Sequence, residues 1–216
     1  LWDEFTPTLY RAEFAMTASD GKDTYADETS EVFGVRDFAP QGTRLTINDR
    51  IMFLRGNVNS AEFPITGFPP TDYDEWFRIL KVCKDYGLNS VRFHSWCPPE
   101  AAFEVADRLG LYLQVENADW RFTIGTVPEL DKFFFDEAAR IFREYGNHPS
   151  FAFFCEGNEL VGPGRDPFLK KMLEQWKEDP RHLYAAASGY PNIEGSDFFD
   201  FYGPRPQRWQ VGLKGR

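Results

Sequence analysis

A polar pair closes the stretch of residues 147–159, which read NHPSFAFFCEGNE and contain a near-continuous apolar run. A turn opens the stretch, and the apolar run that follows, bounded by proline and glycine, predicts a strand buried on both faces. Asn158 and Glu159 come directly after this run. Because parallel α/β folds carry their chemistry at the carboxyl ends of strands, Glu159 is a candidate catalytic carboxylate. A structural glutamate in a strand-to-helix turn is the alternative, and the spacing alone does not decide between them.

The composition is that of a globular chain. Of its 216 residues, 42% are hydrophobic and 17% are aromatic, and no apolar run approaches the length of a membrane span. The formal net charge is −10 and no basic cluster stands out, which weighs against nucleic acid or an anionic membrane as a partner. Cys83, Cys97 and Cys155 have no metal-ligand spacing, so we expect buried thiols rather than a disulfide scaffold.

The first fifty residues predict β-structure and no helix. Strands are predicted over residues 9–16, 31–38, 44–47 and 51–54, from apolar–polar alternation and short apolar runs. Residues 18–29 are polar and predict a turn region. Asn48 and Asp49 are residue types that tolerate a positive φ, so they predict a hairpin between the two strands that flank them. The segment is too short for a complete sandwich and reads as the last strands of one.

From residue 51 onward, predicted strands and helices alternate. Further strands are predicted at residues 52–58, 90–93, 111–115, within 147–159, at 183–187 and at 198–202. The intervening helices are predicted to begin at a Thr71 cap, at Pro98–Pro99, ahead of the apolar face formed by Leu130 and Phe134, and at an Asp166 cap. Repeated β-α units with short connections imply a parallel sheet, in a barrel or a doubly wound fold. No glycine-rich phosphate loop follows any strand, which disfavours a dinucleotide-binding sheet.

Polar or aromatic residues end the successive predicted strands: Asn59, His94, Trp96, Glu116, Asn158, Glu159 and Tyr202. A barrel gathers all these ends around one pocket. A complete barrel needs eight strands in roughly 250 residues, whereas about 165 residues here hold six. The pattern therefore predicts an α/β chain with a partial (β/α)8 TIM barrel, about six of its eight units. Since the sequence starts without methionine and stops without an evident ending, we expect it to be an excerpt of a longer protein.

Several segments resemble, in the same order, those of glycoside hydrolase family 2, which includes β-galactosidases, β-glucuronidases and β-mannosidases. Trp2 with PTLY at residues 7–10 resembles the end of the family's immunoglobulin-like sandwich. The linker from sandwich to barrel is matched by FGVR at 33–36, LTIN at 45–48 and FLRG at 53–56. Residues 147–159 resemble the family's acid/base signature.

The resemblance implies two domains. Residues 1–40 would be the C-terminal part of an immunoglobulin-like β-sandwich domain, and residues 41–216 the N-terminal portion of a TIM-barrel catalytic domain.

The resemblance also implies a retaining exo-β-glycosidase, β-galactosidase-like, that hydrolyses terminal β-linked sugars through two carboxylates. Glu159 would be the general acid/base, and Asn158 would hydrogen-bond the sugar 2-hydroxyl. The nucleophile would lie at the end of the seventh strand, beyond Arg216, so we expect residues 1–216 alone to be inactive. The alternative is a non-catalytic carbohydrate-binding relative with the same barrel. A cellulase-like barrel family is a weaker reading, because such barrels need no sandwich-to-barrel linker.

The other candidate substrate-binding residues are His94, Trp96, Glu116, Trp120 and Tyr202. His94 could instead be a hydrogen-bonded core histidine, and the two tryptophans could be packing residues instead of sugar-stacking platforms. We expect Arg92 to point into the barrel and pair with a carboxylate. His182 is predicted to lie in a surface-like connection with no specific role.

Two departures from the family's sequence pattern concern the metal site and the specificity for the sugar. Its metal-dependent β-galactosidases carry histidines after the first strand and Glu-X-His after the third. This chain has NVNS at 57–60 and ENAD at 116–119, which weighs against a magnesium site and against galactose. We expect no metal and no cofactor. The implied partner is an oligo- or polysaccharide, with no nucleic acid and no membrane; the resemblance also allows a homo-oligomer of the full-length protein and favours a periplasmic or secreted location.

Overall fold

A five-stranded parallel sheet forms the centre of the structure, a computed structural model that describes residues 1–199. Its strands are β6 (Gly56–Asn59), β7 (Ser90–Phe93), β8 (Tyr112–Asp119), β9 (Phe151–Gly157) and β10 (Leu183–Ala185). They pair in the order β10-β9-β8-β7-β6, so each crossover joins neighbouring strands. The predicted α/β class with a parallel sheet is thus confirmed. The sixth predicted strand, 198–202, lies mostly outside the described residues.

Each of the first four parallel strands is followed by an amphipathic helix. The helices are α1 (Tyr73–Asp85), α2 (Glu100–Leu109), α3 (Pro128–Tyr145) and α4 (Arg165–Trp176). Their apolar faces share one core with the outer face of the sheet, in which Trp76, Phe103, Phe134 and Leu169 are buried. Gly110 ends α2 with a positive φ of 70°, a left-handed conformation in which glycine carries little steric cost. Among the helices of residues 1–199, none has the length and apolar character to cross a bilayer.

The amino-terminal part forms two antiparallel units. Strands β1 (Tyr10–Ser19) and β2 (Thr24–Phe33) make a long ribbon, and β3 (Phe38–Gln41), β4 (Arg44–Ile47) and β5 (Arg50–Ile51) make a three-stranded sheet. The predicted hairpin between β4 and β5 is confirmed, with φ of 50° at Asn48 and 63° at Asp49. The ring of Phe38 on β3 lies 5.9 Å from Tyr112 and 6.2 Å from Phe153, so this small sheet packs at the amino ends of the parallel strands.

Several predicted boundaries are wrong. The turn region placed at 18–29 is mostly strand, because nearly every residue of the β1–β2 ribbon is exposed and polar side chains therefore do not interrupt it. Asp72, not Thr71, caps α1, with its Oδ1 accepting from the Glu75 amide at 2.9 Å. Helix α4 begins after Gly164 without a side-chain cap, so Asp166 lies inside its first turn.

The prediction that His182 lies in a surface-like connection is also wrong. The dipeptide before it reads as an exposed turn, but His182 directly precedes β10 and is only 3% exposed. Its ring centroid lies 4.1 Å from that of Phe151, and its Nδ1 is 2.8 Å from the Phe151 carbonyl oxygen. Burial and the nearby Arg36 guanidinium lower the pKa of His182 to about 3. The residue is therefore a neutral core histidine.

We expect His182 to make the protein sensitive to acid. Its pKa is depressed on folding, so the unfolded chain binds a proton below pH about 6.5 that the folded chain excludes until far lower pH. The unfolding free energy should therefore fall by about 1.4 kcal/mol per pH unit below that point on account of this one group. In urea titrations at several pH values, His182→Asn should show a shallower dependence than the natural protein. Parallel pH dependences of the two proteins would contradict this assignment.

Candidate active site

An arginine, a glutamate and an amide meet at the carboxyl ends of β7, β8 and β9. Arg92 Nε donates to Glu116 Oε1 at 2.6 Å, and Arg92 Nη2 donates to Asn158 Oδ1 at 2.7 Å. These side chains come from three different strands and are brought together because parallel strands end at the same edge of the sheet. The expectation that Arg92 pairs with a carboxylate is confirmed.

Glu116 is fully buried, and both of its carboxylate oxygens are occupied by protein donors. Oε1 accepts from Arg92, and Oε2 accepts from the backbone N–H of Ser95 at 2.7 Å. Gln114 lies beside it and donates to the Ser188 hydroxyl at 2.7 Å. A buried carboxylate needs such compensation to stay ionised. This geometry gives Glu116 a role in holding Arg92.

Two hydrogen bonds and two backbone features define the turn where β9 ends. The Asn158 N–H donates to the Asp119 carbonyl oxygen at 3.1 Å, and the Glu159 N–H donates to the Ser188 carbonyl oxygen at 2.9 Å. Glu159 has a φ of 50°, a left-handed conformation that costs a non-glycine residue about 1–2 kcal/mol. A Cβ at Gly157 would lie 2.0 Å from the Asp119 carbonyl oxygen, so only glycine fits there. Such strain at a partly exposed glutamate is typical of functional turns.

Two of the predicted aromatic residues differ in their surroundings. Trp120 is 57% exposed, and its ring centroid lies 5.4 Å from that of His94 in an edge-to-face arrangement. Trp96 packs edge-to-face on Phe93 at 5.2 Å, and its indole N–H donates to the Asn59 carbonyl oxygen at 3.0 Å. The structure therefore brings His94 and Trp120 together and favours the packing role for Trp96. Tyr202 lies outside the described residues.

Sequence reasoning missed a buried pair of carboxyl groups, Asp119 and Glu156. Glu156 is fully buried, and Asp119 is 1% exposed. Burial first, and then the charge of Asp119, raise the pKa of Glu156 well above its usual range. The one signal in the sequence was a glutamate placed directly after the apolar run of β9. Within residues 1–199, no three His, Cys, Asp or Glu side chains cluster as a metal site requires.

Comparison with known proteins shows which proteins the chain resembles. No family model matches it. The chain is 28% identical over 170 residues to the β-galactosidase of Lactococcus lactis subsp. lactis, an alignment that covers 74% of this chain and 16% of that protein. The solved GH2 β-galacturonidase from Eisenbergiella tayi superposes on 90% of this chain and 34% of its own, with a TM-score of 0.73 at 19% identity. This chain is a relative of the family 2 glycoside hydrolases.

A second solved structure has the same fold as this chain. The β-glucuronidase from Ruminococcus gnavus superposes on 92% of this chain and 36% of its own, with a TM-score of 0.78 at 21% identity. The resemblance drawn from the ordered sequence segments is therefore confirmed. The chain spans 16% of the length of the Lactococcus β-galactosidase that it matches.

Proposed function

We propose that this chain carries part of the active site of a retaining exo-β-glycosidase that hydrolyses terminal β-linked sugars. The observation that carries the proposal is the position of Asn158 and Glu159 at the turn after β9, with Asn158 bound to Arg92. Curated relatives and structural neighbours named as β-glycosidases support it. The non-catalytic alternative has no such observation in its favour.

In this proposal Glu159 moves the proton. It donates a proton to the leaving glycosidic oxygen in the first displacement, and then takes one from the water that releases the sugar. The strained turn at Glu159 supports this role, because it fixes the backbone from which the carboxyl group extends.

Asn158 is proposed to bind the sugar 2-hydroxyl. Its Oδ1 already accepts a hydrogen bond from Arg92, which sets the orientation of the amide. The amide NH2 is therefore the group that Asn158 presents as a donor. Hydrogen bonds to the 2-hydroxyl of the sugar strengthen in the transition state of such displacements.

The proposed nucleophile is a second carboxylate about 5 Å from Glu159, supplied by the chain beyond Arg216. Glu116 does not suit the role, because both of its oxygens are bound to Arg92 and to the Ser95 amide. Residues 1–216 alone are accordingly expected to be inactive.

The proposal includes the domain organisation. Residues 41–216 are the N-terminal portion of a TIM-barrel catalytic domain, in which β6 to β10 are the first five of eight strands. Residues 1–40 are the C-terminal part of an immunoglobulin-like sandwich domain. The parallel order of β6 to β10 supports the barrel part of this proposal, whereas the boundary at residues 40 and 41 falls inside β3.

The sugar is proposed to stack on the exposed face of Trp120, with His94 beside it. A large aromatic face matches the apolar face of a pyranose, and Trp120 keeps 57% of its surface free for contact. Glu116 would act on the sugar through Arg92 and Asn158. Tyr202 is a further proposed substrate-binding residue, whereas the packing of Trp96 on Phe93 favours its structural alternative. The relatives are named for galactose, glucuronate and galacturonate.

The test uses the full-length protein that carries this chain and a panel of aryl β-glycosides of neutral and acidic sugars. We expect hydrolysis of at least one, and proton NMR should show the β-anomer of the released sugar before mutarotation. An initial α-anomer would contradict the retaining mechanism. Sugar binding without hydrolysis of any substrate would support the non-catalytic alternative instead.

A further inference from the structure

The Asp119–Glu156 carboxyl pair lies behind the candidate active site, on the side of the sheet that faces the helices. Asn117 Nδ2 donates to Glu156 Oε2 at 2.7 Å and to the carbonyl oxygen of Phe134, on α3, at 3.1 Å. Glu156 is thus enclosed between β9 and α3, with no exposed surface. None of the proposed catalytic steps uses this pair.

Two adjoining carboxyl groups in a dry site hold one proton between them, because the second charge is too costly to bury. Burial raises the pKa of Asp119 as well, but Arg121 opposes that rise: its Nε donates to Asp119 Oδ2 at 2.8 Å and its backbone N–H donates to Oδ1 at 3.1 Å, so Asp119 is the carboxyl group that keeps the charge. Glu156 takes the proton. Its Oε1 has no hydrogen-bond partner in residues 1–199, and an O–H there, donating to the Asp119 carboxylate, would supply one.

Asp119 joins two parts of the candidate site. Its carbonyl oxygen accepts from the Asn158 N–H at 3.1 Å, which ties it to the strand end before Glu159. Along the chain, Asp119 is followed by Trp120 and then by Arg121. The Nη2 of Arg121 lies 2.7 Å from Asp131 Oδ1 on α3. A shift of Asp119 would therefore move the Trp120 loop, residues 120–127 between β8 and α3, relative to Asn158.

We propose that the proton-sharing Asp119–Glu156 pair fastens the Trp120 loop to the strand end carrying Asn158 and Glu159. Glu156 is then a positioning residue that acts through Asp119 and does not touch the substrate. The description of the positioned groups as a sugar site rests on the proposed function, whereas the fastening itself does not.

The first test measures the fastening directly, by hydrogen exchange in the full-length protein. Glu156→Met removes the shared proton at similar side-chain size, and Glu156→Gln keeps a neutral donor. We expect exchange of the Asn158 amide and of residues 119–125 to be about tenfold faster in E156M, and within about threefold of the natural protein in E156Q. Leu169→Ala, a buried truncation on α4, is the matched control for a general loss of stability and should not single out this segment.

The second test needs no destabilising variant. The infrared difference spectrum between the natural protein and E156Q at pH 7 should contain the C=O band of a protonated, buried carboxylic acid; a band from Glu159 is common to both proteins and cancels. Absence of the band from the difference spectrum would overturn the proton sharing. Unchanged exchange in E156M, or equal loosening in E156Q and E156M, would overturn the fastening.

The third test links the fastening to catalysis. On an active aryl β-glycoside, E156M should raise KM about tenfold, with a smaller change in kcat, because Trp120 moves more than Glu159; E156Q should restore the natural KM. A natural protein that hydrolyses no glycoside, with exchange as expected, would refute the proposed function and still support the fastening. An unchanged KM in an active E156M enzyme would overturn the positioning role.

Discussion

Replacing Glu159 with glutamine is expected to lower kcat/KM by about 10²–10⁴ on glycosides whose leaving group needs a proton, in the full-length protein. The amide keeps the size of the side chain and can still form hydrogen bonds, but it cannot deliver a proton. Aryl glycosides with a strongly acidic phenol leave without that proton, so their first displacement should be affected far less. The measurement is kcat/KM against leaving-group pKa for the natural and variant enzymes.

Glu174→Gln is the matched control for this prediction. Glu174 is an exposed glutamate on α4, so its replacement should leave the kinetics unchanged. An equal loss for all leaving groups in Glu159→Gln would assign Glu159 a structural role. A loss that grows as the leaving group becomes more basic would support the proton transfer.

The second large effect is expected at Arg92. Arg92→Met removes the cation that balances the fully buried Glu116, and should lower the free energy of unfolding by about 3–5 kcal/mol, because an uncompensated buried charge remains. Asn158 also loses the donor that orients its amide, so turnover should fall as well. Urea denaturation measures the first effect, and steady-state kinetics measures the second.

Arg78 provides the comparison for Arg92. Its ion pair with Glu75 lies at the surface of α1, and Arg78→Met should cost about 0–1 kcal/mol. The double variant Arg92→Met/Glu116→Gln should recover much of the stability lost in Arg92→Met, since the uncompensated charge is gone. Equal stabilities of Arg92→Met and Arg78→Met would show that the Arg92–Glu116 pair contributes little.

Local signals in the sequence were enough to predict the order of strands and helices in the parallel part of the fold, and one hairpin before it. The apolar run before His94 predicted β7 at its observed bounds, and Gly110 marked the end of α2. Asn48 and Asp49 predicted the β4–β5 hairpin. These features depend on neighbouring residues, so a pattern read along the chain can detect them.

The rest depends on neighbours that are distant in sequence. The β1–β2 ribbon has almost no buried face. Alternation of apolar and polar residues reflects the burial of one face of a strand, so it does not detect strands that pair without being buried. His182 reads as a surface residue until Phe151 is placed against it. Glu156 reads as an isolated charge until β8 brings Asp119 beside it. The choice of Glu116 as the partner of Arg92 likewise follows from the register of the sheet.

The amino-terminal residues depend on parts of the chain that are made much later. The Trp2 indole N–H donates to the Asp107 carbonyl oxygen at 2.8 Å, and the Arg36 guanidinium donates to the carbonyl oxygens of Pro149 and Phe151. During synthesis, therefore, Trp2 and Arg36 cannot reach these contacts until α2 and then the start of β9 have left the ribosome. The first β-segments therefore remain undocked while the chain is being made. Because loop-closure entropy opposes contacts between residues that are distant in sequence, we expect their docking onto the parallel sheet to be a late step in folding.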